Sequence, residues 1–255
     1  MNFLKKVNQR TQSFKAKLFV LLVITLSPFN LKAAVTAGNQ SFAAWNPNAT
    51  SYTISHNQNT GSDGYLVVVL GFTSLGTFGG TVSGITWNGV SMTQLQQAII
   101  NINSGKLAIF ELENPATGTN NLVITFSTTF QGSVSSSIFS FTGAQSGGNS
   151  EINTGDTTPT NPLFTISDNS MVLGISASNY STSSIELAQG TARSLLNAGS
   201  QTYYGGICAV ALSPALAAGT ATYEANTSGG SASLALVEIQ EAAAAVIPRR
   251  VFITD

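Results

Sequence analysis

The sequence predicts an all-β protein: a single β-sandwich, jelly-roll-like or Ig-like, with mostly antiparallel strands. Three observations carry this. Apolar residues recur with period two or in short continuous runs, and no long helical period occurs anywhere. Gly, Asn and Pro turn signals return at the spacing of roughly 8–12 residues typical of sandwiches and barrels. Only 8% of the 255 residues are charged, against about 25% in ordinary domains, while Ser, Thr and Asn are abundant. A surface made polar by hydroxyls and amides suits exposed strand faces and β-turns.

The first 33 residues differ from the rest. Lys5, Lys6, Arg10, Lys15, Lys17 and Lys32 are six of the ten basic residues, and the apolar run 18–26 follows the first five. A basic start, a short apolar run and the small residues Ala33 and Ala34 describe a secretory signal peptide over 1–33. The run is shorter than the roughly 20 apolar residues a membrane span needs, so no integral span is expected after cleavage. Cleavage leaves four basic residues against all eleven acidic ones, a formal charge of −7. With no basic patch, nucleic acid is excluded as a partner. Hydrophobic residues make up 43% of the chain, which excludes disorder. Cys208 is the single cysteine and reads as a small buried hydrophobe, so the core must carry stability without disulfides.

The sandwich is expected over 34–240. Residues 35–45 form a first strand or arm, and 51–56 alternate as a half-buried strand. Residues 65–72 are apolar on both faces, the mark of a strand covered on both sides. Asn88-Gly89 is a hairpin turn, since both residues tolerate positive φ. A meander follows, in which Pro115 and Gly118 punctuate the loop between two long strands and Leu122, Ile124 and Phe126 share an apolar face. Residues 145–162 read as a polar loop, and 171–178 and 185–189 as strands. Residues 203–212 read as a second central strand, and 221–224 with 231–239 as the last pair. Residues 241–255 are an Ala-rich linker and a strand-like tail. Within it, Arg249, Arg250, Val251, Phe252 and Ile253 either fold back as the domain's own edge strand or add to an exposed sheet edge in self-assembly.

The order WNGVSMT, IFELENPATGTNNLVITFS and FSFTGA, over about 85–144, resembles a Ser/Thr/Gly-rich β-sandwich module of secreted bacterial and phage-associated surface proteins. Those modules place an (Y/W)NG-x-x-(L/M)T hairpin before L-x-x-P-x-x-G-T and F-x-G. The resemblance implies a structural or binding role outside the cell and brings no catalytic residues with it.

Candidate chemistry is sparse. His56 is the only histidine; without a G-x-S-x-G elbow it reads as an ordinary strand-end residue rather than a catalytic base. Glu111 and Glu113 share one strand face at about 7 Å, inside the glycosidase range. With nothing nearby to raise either pKa, they read as a solvated outer face. Glu151, Asp156 and Asp168 border polar loops and admit a structural calcium ion, although no dense acidic pattern is present; no other cofactor is implied. Gly79-Gly80 and Gly147-Gly148 open no helix, so they do not cradle phosphate. Trp45, Tyr203 and Tyr204 are candidates for a platform that stacks a surface glycan, whereas Trp87, on the Ile85 face, reads as core. Asn39, Asn48, Asn179 and Asn226 begin N-x-(S/T) sequons of the kind so Asn- and Ser-rich a chain throws up by chance.

The function expected from these features is that of a secreted, extracellular or cell-surface protein that is not an enzyme and acts in surface presentation, adhesion or assembly. A carbohydrate-binding module is the alternative, and a glycoside hydrolase using Glu111 or Glu113 a third reading.

Overall fold

The computed structural model describes residues 34–45, 48–58, 63–74, 81–100, 105–156, 160–178, 182–187, 196–203, 206–212, 218–227 and 232–243, all within one compact unit over 32–243. The signal-peptide segment, Tyr204 and the tail residues Arg249 to Ile253 lie outside the described residues. The fold is an all-β antiparallel sandwich: every described strand pairing is antiparallel, and the sheets do not close into a barrel. Among the described residues, no helix is long and apolar enough to cross a membrane.

One strand organises the first half. β8, Gly118–Thr142, is 25 residues long and fuses two runs that read separately in the sequence. Its first part lies between β2 (Asn48–Gln58) and β4 (Val82–Trp87), which continues to β5 (Val90–Ser91). Its second part lies between β1 (Thr36–Trp45) and β3 (Tyr65–Ser74), beyond which come β7 (Gly105–Glu113) and β6 (Thr93–Ile100). The even-numbered side chains Leu122, Ile124, Phe126, Phe130, Val134 and Ile138 all enter one core. Phe126 and Phe130 stack at 4.9 Å between the two parts. The odd-numbered ones change surroundings: Thr119, Asn121 and Thr125 face solvent, whereas Phe139 and Phe141 enter a second core. Alternation thus holds on both sides of the exposed stretch 127–129 while the second face passes from water to protein.

β3 is central, as its sequence predicts. Leu66, Val68 and Leu70 pack into the first core with Ile85, Trp87 and Phe110. Tyr65, Val67 and Val69 pack into the second. The second core's far wall is another sheet, ordered β10 (Ser150–Asp156), β17 (Ala232–Glu241), β12 (Met171–Ser178), β15 (Gly206–Leu212) and β14 (Leu196–Tyr203). It contributes Leu173, Ile175, Ala235, Val237 and Ile239. Its opposite face is sealed as well, since Val172, Leu234 and Leu236 are buried. A three-stranded sheet of β11 (Thr160–Ile166), β16 (Gly219–Thr227) and β13 (Thr182–Leu187) lies against it.

Asn88 and Gly89 take φ of 47° and 81°, the left-handed pair a tight hairpin needs. Other local expectations are corrected. β7 and β8 are not meander neighbours, because β3 lies between them and pairs with both. The stretch 145–162 contains β10 and the start of β11, which form through cross-strand pairing that their polar residues do not advertise. The second central strand begins at Gly206, and Tyr203 belongs to the preceding β14, a strand the periodicity missed. β16 and β17 join different sheets rather than forming a last pair, because a turn signal between two strands does not specify which strands pair.

Candidate functional site

Among the described residues, the chemistry-bearing side chains do not converge on one cleft; they form two separate polar interiors. The first lies in the core between the β2–β8–β4 sheet and the β1–β8–β3 sheet. β2 alternates, and Ile54, His56 and Gln58 point inward. His56 is only 2% exposed. Its Nδ1 lies 2.7 Å from Ser41 Oγ on β1, and its Nε2 lies 2.8 Å from Ser140 Oγ on β8. Ser140 donates in turn to Gln58 Oε1 at 2.8 Å, and the Trp87 ring meets the imidazole edge-on at 5.8 Å. Burial holds His56 down at about 4, because an imidazolium here would lose water and gain no counter-charge. His56 is therefore an interior residue and not a strand-end one. The sequence carried a faint signal of this: His56 shares the parity of Ile54.

The second interior surrounds the crossing from the first half to the second. Tyr65 donates its hydroxyl to Glu111 Oε2. Glu111 is buried, which corrects the expectation of a solvated face: the face it shares with Leu107 and Ile109 is turned toward the second sheet. Burial pushes the Glu111 carboxyl up, the Tyr65 hydrogen bond draws it partly back, and the neighbouring Glu113 charge adds to the rise. Burial and the Glu111 charge push the Tyr65 hydroxyl up too. Glu113 is exposed and accepts the Ser146 backbone N–H, which holds its carboxyl low. Three residues on, the Asn149 N–H donates to Glu238 Oε2 at 3.1 Å, and Ser167 N–H donates to the other oxygen. Burial pushes Glu238 up, but its hydrogen-bond donors, led by these two backbone N–H groups, prevail and hold its carboxyl below the ordinary value. Between them, Gly148 passes so close to β17 that a Cβ there would stand 2.1 Å from the Glu238 carbonyl oxygen.

The remaining candidates are dispersed. Trp45 closes β1 opposite Val134, and Tyr203 closes β14 opposite Gly206 on another sheet. Cys208 lies in β15 between Ala177 and Gln201. Glu151 is exposed on β10, Asp156 ends that strand, and Asp168 is exposed in the turn before β12. Among the described residues, no group of three or more His, Cys, Asp or Glu stands close enough to hold a metal ion. Trp87 is core, as expected, and its indole N–H donates to Ala116 O at 2.9 Å, so the WNG turn and the NPATG loop meet.

Sequence reasoning missed one surface. The strands β2, β4 and β5 and the first part of β8 contain no Asp, Glu, Lys or Arg. Their outer face presents Ser51, Thr53 and Ser55 beside Thr125 and Asn121, all exposed. The absence of charge along these strands was legible; that they assemble into one face was not.

The fold and its polar interiors define a layered antiparallel β-sandwich whose ionisable groups brace its sheets. No protein-family model matches the chain, and no curated protein sequence does.

Proposed function

We propose that this protein is exported, with residues 1–33 as a cleaved signal, and that it works without catalysis in cell-surface presentation, adhesion or extracellular assembly. The observation that supports this reading most directly is the charge-free outer face of the β2–β8–β4–β5 sheet. Ordinary soluble surfaces carry about 25–35% charged residues. A hydroxyl and amide face avoids the cost of stripping water from charges when it meets a neutral polar surface. The braced ionisable groups agree with it, since His56, Glu111 and Glu238 are each engaged by other strands or loops. The resemblance of 85–144 to modules of secreted surface proteins points the same way.

Electron microscopy of exported protein, with N-terminal sequencing, tests this. Filaments, particles or cell-attached material beginning near Ala34 are the expected result. A freely dispersed monomer that keeps Lys5 and Lys6 would overturn it.

The same neutral face favours a second reading, a carbohydrate-binding module for uncharged glycans. A glycan array with the mature protein separates the two, and Thr53→Asp with Thr125→Asp should abolish any such binding while leaving the core intact. The opposed displacement of Glu111 and Glu113 is the pattern an acid–base pair needs. Hydrolysis of labelled polysaccharide by wild type and not by Glu111→Gln would establish a glycosidase instead.

A further inference from the structure

The hydrogen bonds around His56 form a directional chain. Ser140 spends its hydroxyl proton on Gln58 Oε1, so its oxygen accepts from Nε2–H, and Nδ1 is left as the acceptor for Ser41. Turning the Gln58 amide over reverses the chain and exchanges the ring's donor and acceptor. Either way the ring must keep one lone pair and remain neutral. An imidazolium would donate from both nitrogens, and one serine hydroxyl would lose its acceptor.

Among the described residues, no neighbour compensates such a charge. The strands that pack against the ring are β1, β8 and β4, with β2 its own; none carries Asp, Glu, Lys or Arg, and their one other titratable side chain is Tyr52. The groups facing the ring are Ser41, Ser140 and the Trp87 indole, none of them titratable near neutral pH.

The chain's terminal link is also its weakest. β1 pairs along one edge only, with β8, among the described strands. Ser41 ties it to β2 through the ring, and Asn39 Nδ2 ties it to Asn57 O at 2.9 Å. Ser41 is half-buried, whereas Ser140 and Gln58 are sealed. Water can therefore reach the ring most easily by displacement of β1.

We propose that Ser41, His56, Ser140 and Gln58 form an acid-sensitive clasp, in which protonation of His56 detaches the first strand, Thr36–Trp45, from the sandwich while the remaining sheets stay folded. Detachment uncovers the 134–142 edge of β8 for strand addition by another chain.

Amide hydrogen exchange of the full chain between pH 7.5 and 4.5, corrected for the intrinsic pH dependence of exchange, tests the clasp. His56 is held well below its unfolded value, so the open state binds a proton that the closed state refuses. The opening constant of β1 should then rise about tenfold for each pH unit below about 6.5, while β3 and β7 amides keep their protection. His56→Gln should flatten the β1 response, and Ser41→Ala should leave β1 weakly protected at every pH. A flat β1 response in wild type overturns the proposal, as does loss of β3 and β7 protection in step with β1. Should His56→Gln not fold, the nitrogen-15 titration of the His56 ring in the wild-type chain decides. A ring that charges above about pH 6 with β1 still protected also sinks the clasp.

Discussion

His56 and Glu238 are both almost wholly sealed from water, at 2% and 0% exposure, and the fold disposes of their charge in opposite ways. Around His56 the partners are hydroxyls and an amide, which serve as donor or acceptor as needed, so the ring stays neutral. Around Glu238 the partners are two backbone N–H groups and the Gln240 side-chain amide nitrogen, all of which can only donate, so the carboxylate stays charged. The difference teaches that burial alone does not set the ionisation of an interior group; the directionality of its partners does. Both arrangements weaken in acid, in different windows. His56 has a depressed folded pKa of about 4. Its contribution is complete above its unfolded value near 6.5 and is lost as the pH falls toward 4, at a cost of about 3 kcal/mol. Glu238 and Glu113 are depressed carboxylates, so their contribution is lost only below their unfolded value, about 4.3. Acid unfolding followed by circular dichroism should therefore fall in two stages.

The largest effect comes from the strand between the two interiors. Val68 is fully buried on β3, and Val68→Asp should remove several kcal/mol, leaving no cooperative transition in urea. A soluble, native-like variant would show that β3 does not couple the layers. Next, Gly148→Ala drives a methyl into the Glu238 carbonyl. It should cost about 3 kcal/mol while leaving the His56 stage of the acid profile in place. Disappearance of that stage would mean the two interiors are one.

Glu238→Gln should cost about 2 kcal/mol at pH 7, the worth of charge-assisted hydrogen bonds, and less at pH 3, below the unfolded carboxyl value of about 4.3, where the wild-type contribution has begun to be lost. Urea midpoints at the two pH values check this, and an equal loss at both would assign the effect to packing. The smallest effect is a gain. Glu111 has a raised folded pKa, so folding favours its protonated form, and that preference costs stability as the pH rises above the unfolded value. Gln stands in for the protonated acid and can still accept from Tyr65. Glu111→Gln should add under about 1 kcal/mol at pH 7 and nothing at pH 4; a loss at pH 7 would show that the Glu111 charge is needed.

Much of this was written in the chain. The period-two runs set the strand faces, the double-sided run at 65–72 set the central strand, and Asn88-Gly89 set its hairpin, because side-chain alternation and left-handed turn conformations are local properties of the backbone. The clustering of six of the ten basic residues within 1–33 was equally local. What the tertiary structure alone decided is which strands meet. Glu111 and Glu113 look equivalent in sequence, two residues apart on one face, yet one is sealed beneath Tyr65 and the other bonds Ser146 at the rim. His56 became an interior group only because Ser41 and Ser140, 15 and 84 residues away, were brought to its two nitrogens. Nothing local records that β8 continues from one sheet into the next, since Leu122, Ile124, Phe126, Phe130, Val134 and Ile138 serve one core on both sides of the crossing while the surroundings of its odd positions change. Alternation tells each side chain which face it takes; whether that face meets water, a second sheet or a hydrogen-bond partner depends on contacts far apart in sequence, and these the fold supplies.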